Sequence, residues 1–395
     1  MDFELNYSVE QQEFRQEVRQ WLKDSLDHEF LKTLPPDQED YAEAHYEYGR
    51  QVRRMLGERG WLAPTWPKEY GGGGLTVAHQ IVIEEELAEY DLPAVGDLGL
   101  TLGAPAINAW GNEEQKQRFL PPILKGEVVV WQVFTEPGAG SDLASLKTRA
   151  VEDGDDFVIN GNKIFVGQKY YADYLYTLAV TDPEAPRHNN IGAFIIPAGT
   201  EGVTVHRLDL IAGGGKRAIF FDDVRVPKEN LIGGKGKGWW VAQTTLELEH
   251  GGGGRVTPRN RLVDQFLKYA KSAKLNGQVI SADSRKQEIL VDAYIQANVI
   301  RLLGLRNYWQ RNAGVRQTYE GSQLSMNNKV FMPRLASMML EVLGPYALTK
   351  DATWGPARGE IENWQRQSTA THPGGTIEIQ KVIMARSMGL SRGRG

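Results

Sequence analysis

Two stretches of the chain combine residue types that can do chemistry. The first is FTEPGAGSDL at 134–143, just after a run that reads as β-strand. Pro137, Gly138 and Gly140 let the backbone turn tightly, and Thr135 and Ser141 add hydroxyl donors. A loop presenting main-chain N–H groups suits an anion such as a pyrophosphate. A plain hairpin connection is the other reading, and residue types leave both open. The second stretch is LELEHGGGGR at 246–255, closing a run with helical spacing. Glu247 and Glu249 stand two apart, so they project from different faces of that helix. A carboxylate beside four glycines is either a proton-transfer group or an ordinary solvated side chain.

Other chemistries are excluded by what is missing. The seven histidines, at 28, 45, 79, 188, 206, 250 and 372, form no H-E-x-x-H or similar pair, so no metal site is expected. There is no cysteine, which removes disulfides, thiolate ligands and a cysteine nucleophile together. The glycine-rich stretches at 71–74, 213–215, 233–238 and 251–254 match neither a P-loop nor G-x-G-x-x-G. Lys plus Arg total 45 against 50 Asp plus Glu, a net charge of −5, which gives no support for nucleic-acid binding. The opening MDFELNYSVEQQEF has acids and amides where a signal peptide would be basic, then apolar. No apolar run approaches the ~20 residues of a membrane helix. A soluble cytoplasmic protein without a membrane span is therefore expected.

The elements that must position the two stretches follow from periodicity. At 395 residues, with 41% hydrophobic and 24% charged residues, the chain is globular and long enough for two or three domains. Ser8 with Gln11 forms a capping box ahead of a helix whose Phe14, Val18, Trp21 and Leu22 recur at helical spacing. Further helical patterns run at about 41–59, 77–90 and 113–125, the last carrying Pro121 and Pro122. From 129 to about 232 short β-rich runs alternate with DGDD, NGN and AGTEG turns, which suggests an antiparallel sandwich or barrel. Helical patterns return at 239–250, 257–274, 284–312, 325–345 and 377–389, implying a bundle. The expected architecture is α+β: a helical domain over 1–128, a middle β domain over 129–238 and a helical bundle over 239–395.

Taken together, GWLAPTWPKEYGG, EEQKQRFLPPILKGE, FTEPGAGSDLASLKTRA, INGNKIF, YADYLYTLAVTD, FFDDVRVPKENLIG and GGTIEIQ resemble the acyl-CoA dehydrogenase family. The resemblance runs from residue 60 to the C-terminus, and TEPGAGSD is among the family's most specific motifs. In detail the chain is most similar to large subunits of the pimeloyl-CoA and steroid-side-chain type. The resemblance implies FAD as cofactor, an acyl-CoA substrate and an electron-transfer flavoprotein as acceptor. It also implies an N-terminal helical domain, a middle antiparallel β-barrel and a C-terminal four-helix bundle.

In this family a Glu removes the α-proton of an acyl-CoA while the β-hydrogen leaves as hydride to the flavin. One family location for that Glu is the first residue of E-G-T, which here is Gly374 in HPGGTIEIQ. The other is the Glu of an E-R pair, which here is Glu249 followed by His250. The resemblance therefore implies Glu249 as base, with the main-chain N–H of Gly374 donating to the thioester carbonyl. It further implies flavin contacts from Gln132, Val133, Phe134, Thr135, Gly140 and Ser141, from Phe165, Val166 and Gly167, and from Thr376 and Glu378. Ser141, Glu247, Leu248, Glu249, His250 and Gly375 correspond to residues along the acyl-CoA.

Four positions depart from the family pattern. Phe165 replaces a Trp, and Gly167 removes a hydroxyl that normally bonds the flavin. The Arg of R-x-x-F-G is missing from Ala273, Lys274, Leu275, Asn276 and Gly277, and Glu341 replaces a Gln. Losing a charged phosphate contact costs roughly 1.5–3 kcal/mol, or one to two orders of magnitude in FAD affinity. Either a homologous subunit supplies the Arg in a heterotetramer, or a homo-oligomer holds FAD by other contacts. Two further readings are a non-catalytic partner subunit, and a flavin oxidase or monooxygenase on the same fold. The glycines at 251–254 either end or bend the helix or widen the acyl pocket.

Overall fold

The computed structural model describes residues 6–35, 40–93, 97–167, 171–212, 215–249, 260–275, 277–349, 360–369 and 371–390. The chain opens with helices α1 (Val9–Ser25), α2 (His28–Leu31), α3 (Glu43–Glu58), α4 (Val77–Leu87), α5 (Ala104–Trp110) and α6 (Glu113–Leu124). Ser8 caps α1 as its spacing predicts: its Oγ accepts from the Gln11 N–H, and Gln11 Oε1 accepts from the Ser8 N–H. Eight strands follow: β1 (Val130–Val133), β2 (Arg149–Asp153), β3 (Asp156–Val166), β4 (Tyr174–Val180), β5 (Ile191–Pro197), β6 (Val203–Arg207), β7 (Arg217–Pro227) and β8 (Leu231–Ile232). Then come α7 (Gly238–Glu247), α8 (Arg261–Ser272), a small hairpin of β9 (Lys274–Leu275) and β10 (Gln278–Val279), α9 (Ser284–Asn312), α10 (Glu320–Leu343), α11 (Glu360–Ser368) and α12 (Ile377–Ser387).

Three helices lack a legible sequence pattern. α2 is a single turn, and α11 sits in the polar run EIENWQRQS. The stretch GLTLGAPAINAW forms a π-helical turn (Gly99–Gly103) leading into α5 despite two glycines and a proline. Its start is fixed from outside: buried Asp97 accepts from the Leu100 N–H and pairs with buried Arg53 of α3 at 2.6 Å.

The described residues fall into two compact units. One takes in 41–76 and 92–249, and contains the sheet, in strand order β6-β7-β3-β2-β4-β5-β8, with β1 added beside β4. Most pairs are antiparallel, as the short strands and turns predict. The exception is β4, which runs parallel to β1 and touches β2 in parallel register at one pair, Arg149 with Val180. Parallel neighbours need a crossover, and the β2–β3 hairpin supplies it between β1 and β4. One face of β4 and β5 packs on β3 and β7 through Leu175, Ala179, Phe194 and Ile196. The other packs on α5, α6 and α7 through Tyr176, Leu178, Ala193 and Ile195. Cover on both faces explains why YLYTLAV and IGAFIIP are nearly continuous apolar runs rather than alternating ones.

The other unit takes in 1–40, 77–91 and 250–395. Its core joins Phe266 of α8, Ala293 and Ile300 of α9, Leu335 and Met339 of α10 and Ile361 of α11. α1 lies on α4 through ion pairs of Arg15 with Glu85 and Glu86 and of Arg19 with Glu86, at 2.6–2.7 Å. Helices α1, α2 and α4 thus share a unit with the C-terminal helices, although they lie more than 160 residues earlier than α8 in the chain.

Candidate active site

β1 delivers Gln132 and Val133 into the loop that begins at Phe134. Val133 and Phe134 are buried, and the Phe134 ring meets Tyr176 edge-on at 5.0 Å. The turn is closed by a reciprocal backbone pair, Glu136 N–H to Ala139 O at 2.9 Å and Ala139 N–H to Glu136 O at 3.1 Å. Gly138 and Gly140 do not have the left-handed backbone that demands glycine, and a Cβ at either would meet nothing within 4 Å among the described residues. The tight turn therefore does not require them. Bare, exposed backbone is what a ligand lying on the loop requires. Ser141 is exposed beyond them, and the next residue, Asp142, is tied by Arg187.

The second predicted segment lies alongside. The Ile164 N–H donates to the Thr135 carbonyl at 2.9 Å, which joins β3 to the loop. Between Lys163 and Val166 the β3–β7 register shifts, and in that irregularity Phe165 takes φ 60° with its ring 47% exposed. A left-handed conformation costs a bulky L-residue about 1–2 kcal/mol, and such strain collects at functional sites. Val166 is buried. Gly167 has φ 64°, and a Cβ there would stand 2.6 Å from the Trp131 ring. The missing hydroxyl at this position thus has a steric reason: Trp131 fills the space. Lys216 Nζ donates to the Gly167 carbonyl at 3.0 Å, and burial pulls that ammonium below its ordinary range.

Glu249 follows α7 on a π-helical turn with Leu248. Glu247 is exposed while Leu248 and Glu249 are half-buried, so the two carboxylates diverge as their spacing predicts. Gln132 Nε2 donates to Glu249 Oε2 at 3.3 Å, and Gln132 Oε1 is buried with no partner among the described residues. The helix leading to Glu249 is held from beneath. Thr245 Oγ1 and the Tyr176 hydroxyl are hydrogen-bonded at 3.1 Å, and Trp110 Nε1 donates to Thr244 Oγ1 at 2.9 Å. His250 and the glycines at 251–254 lie outside the described residues.

The remaining candidates belong to the other unit. Gly374 and Gly375 have φ 67° and 81°, two successive left-handed residues ahead of α12. Thr376 caps that helix through its Oγ1 and the Ile379 N–H at 3.2 Å, and Gln380 Nε2 donates to the Gly374 carbonyl at 2.8 Å. Exposed Glu378 sits in the first turn, its carboxyl held below the ordinary range by its own main-chain N–H and by Thr376. Lys274 lies in the β9–β10 hairpin, with Asn276 outside the described residues, and Glu341 pairs with Arg285 at 2.8 Å.

One group beside the site went unread in the sequence. Lys163 of β3 is fully buried, and its Nζ donates to Glu136 Oε1 at 2.8 Å, the Leu178 carbonyl at 2.8 Å and the Phe134 carbonyl at 3.2 Å. Burial pulls this ammonium down to about 8, against the opposing charge of Glu136. Burial alone would raise the Glu136 carboxyl, but Lys163 and the groups of Thr148 and Lys147 hold it below the ordinary range. The available signal was alternation. Phe157, Ile159 and Lys163 stand at the second, fourth and eighth positions of β3, so the lysine points inward with the apolar residues. Among the described residues no group of acids and histidines could hold a metal ion, and no helix is long and apolar enough to cross a membrane.

Comparison with known proteins agrees with this arrangement along the whole chain. Family profiles for the N-terminal, middle and C-terminal domains of acyl-CoA dehydrogenases match residues 8–127, 132–224 and 236–389. Acyl-CoA dehydrogenase FadE26 of Mycobacterium tuberculosis is 32% identical over 402 residues, spanning 98% of this chain and 99% of the relative. Among solved structures, a chain of the ChsE4–ChsE5 complex from Mycobacterium tuberculosis superposes with a TM-score of 0.83 at 28% identity, covering 99% of this chain and 100% of that one. A chain of the Tcur3481–Tcur3483 steroid acyl-CoA dehydrogenase gives a TM-score of 0.81 at 29% identity, covering 100% of each. The chain belongs to the acyl-CoA dehydrogenase family of FAD-dependent oxidoreductases.

Proposed function

We propose that this protein removes hydrogen from Cα and Cβ of an acyl-CoA thioester to give the trans-2-enoyl-CoA, with Glu249 as the base. The observation that carries this reading is the Gln132–Glu249 hydrogen bond. It ties the candidate base to the strand that runs directly into the candidate flavin loop.

The residues present fit a flavin nucleotide. An exposed Phe165 held in strained backbone offers a ring to an aromatic ligand, and Gly138 and Gly140 leave main chain bare. Gln132 Oε1 is a buried acceptor with no partner among the described residues. Gln132 to Thr135, Gly140, Ser141 and Phe165 to Gly167 would hold FAD, joined by Thr376 and Glu378. Bound FAD supplies the acceptor for the β-hydride. Glu249 takes the α-proton onto its carboxylate, and Gln132 keeps one carboxylate oxygen in place while it does so. The resemblance assigns the Gly374 N–H to the thioester carbonyl, where a donor would stabilise negative charge developing on that oxygen. Ser141, Glu247, Leu248 and Gly375 are assigned to the acyl-CoA by the resemblance, as is His250, which lies outside the described residues. A steroid-derived thioester heads the substrate panel, followed by straight-chain, dicarboxylic and aromatic ones.

Glu249→Gln tests the assignment. The variant should bind acyl-CoA yet bleach its flavin at least ~10²-fold more slowly than wild type in anaerobic stopped flow, the scale of a lost general base. Near-normal bleaching would transfer the role to another residue.

Partners and organisation complete the proposal. An electron-transfer flavoprotein is the acceptor, and the cytoplasm the location. The chain divides near 128 and 238, a division supported by the limits of the three family profiles. The protein works as an oligomer, most simply a heterotetramer with a homologous subunit that brings the Arg this chain lacks at Ala273. Support comes from α9, where Val291, Tyr294, Ile295, Val299 and Leu302 form an exposed apolar stripe at helical spacing.

A further inference from the structure

We propose that the buried Glu136–Lys163 pair is a positioning device that sets both flavin-contact segments in one rigid frame before FAD arrives; this rests on the flavin reading given above. Glu136 and Lys163 lie 27 residues apart and meet at 2.8 Å with Lys163 wholly enclosed. From that contact the pair reaches both ends of the loop. Lys163 Nζ holds the entry by donating to the Phe134 carbonyl, one residue before Thr135. The Glu136 carboxylate holds the exit by accepting from the Lys147 N–H at 2.6 Å and the Thr148 N–H at 3.0 Å. The same lysine anchors the loop to the sheet through the Leu178 carbonyl of β4.

The second segment is fixed by the same contact. Lys163 stands two residues before Phe165, and the intervening Ile164 N–H donates to the Thr135 carbonyl. Holding Lys163 therefore fixes where β3 becomes irregular and where the strained Phe165 ring emerges. The arrangement does not serve stability well. A buried ion pair gains little over a neutral replacement, because both charges lose their hydration. An apolar pair could fill the volume but could not hold two main-chain N–H groups and two carbonyls at once. The five polar contacts place loop and strand relative to each other. Neither residue need touch the ligand; each acts through Thr135, Ser141 and Phe165.

The experiment is a titration of FAD into flavin-free wild-type protein and the Glu136→Gln/Lys163→Met double variant, made with the partner subunit if wild type takes up FAD only there. The double variant removes both buried charges together, so its thermal midpoint in the flavin-free state should stay within a few degrees of wild type. Its FAD dissociation constant should rise at least 10-fold. A folded double variant that binds FAD as tightly as wild type overturns the proposal. So does a variant whose only defect is a lowered midpoint. Should it fail to fold, amide exchange on flavin-free wild type decides. The N–H groups of Lys147, Thr148 and Ile164 should exchange as slowly as that of Ile159 inside β3, and fast exchange overturns the preset frame. A wild type that binds no FAD in any assembly refutes the flavin reading instead, and the exchange data still report on the frame.

Discussion

Single residues in this protein carry conformational costs that a bound ligand would explain. Phe165 is the clearest: its backbone is left-handed, its ring is half exposed, and it belongs to none of the apolar clusters formed by the described residues. Removing a side chain in favour of glycine within a strand ordinarily costs roughly 0.5–1 kcal/mol. At Phe165 the relief of left-handed strain, about 1–2 kcal/mol, should cancel that cost. Phe165→Gly is therefore expected to keep the flavin-free thermal midpoint while weakening FAD binding severalfold. A lowered midpoint with unchanged affinity would make Phe165 an ordinary structural residue. Gly167 shows the opposite constraint, since Trp131 and a φ of 64° leave it no room for any side chain.

At the scale of elements, the loop after β1 is held by a pair of opposite charges, both depressed in the folded protein, and the sign of each contribution is open to test. The Glu136 carboxyl is depressed in the folded protein, so its stabilisation is present above the ordinary carboxylate range and fades as pH falls through the folded value. Lys163 is also depressed, to about 8 from 10.5. Below that window it is protonated folded and unfolded alike, and keeping the proton buried costs stability. As pH rises from about 8 to 10.5 the folded state sheds the proton first, and this group's contribution to stability increases. Denaturant melts of wild type minus the Glu136→Gln/Lys163→Met variant should show the difference falling in acid and climbing between those two values. A flat difference across both ranges would mean that neither group binds its proton differently in the folded and unfolded chain.

For the whole molecule, the Arg missing at Ala273, between α8 and β9, and the apolar stripe on α9 bear on one property, whether this chain holds FAD alone. The first observation to make is the visible spectrum of the protein purified by itself, followed by a panel of acyl-CoAs without oxygen. The heterotetramer reading predicts substoichiometric flavin that rises to one per site on adding the homologous subunit. Stoichiometric flavin in the chain alone would favour a homo-oligomer. Bleaching by one thioester would then identify the acyl group.

Much of this was legible in the sequence because it is local. The Ser8 capping box, the span of α9 at 284–312, the order helix, strand, helix and the TEPGAGSD loop all depend on residues within a few positions of each other. The divergence of Glu247 and Glu249 is equally local, fixed by helical spacing. What the tertiary structure decided joins distant positions, where no local pattern exists to read. Gln132 reaches Glu249 across 117 residues, and Lys163 meets Glu136 inside the sheet. β4 gains a parallel neighbour in β1, and α1, α2 and α4 join the C-terminal helices rather than the helices beside them in the chain. Such contacts follow from which buried surfaces fit together once the chain has folded, and hydrophobic periodicity specifies a face to bury without naming the surface that will cover it.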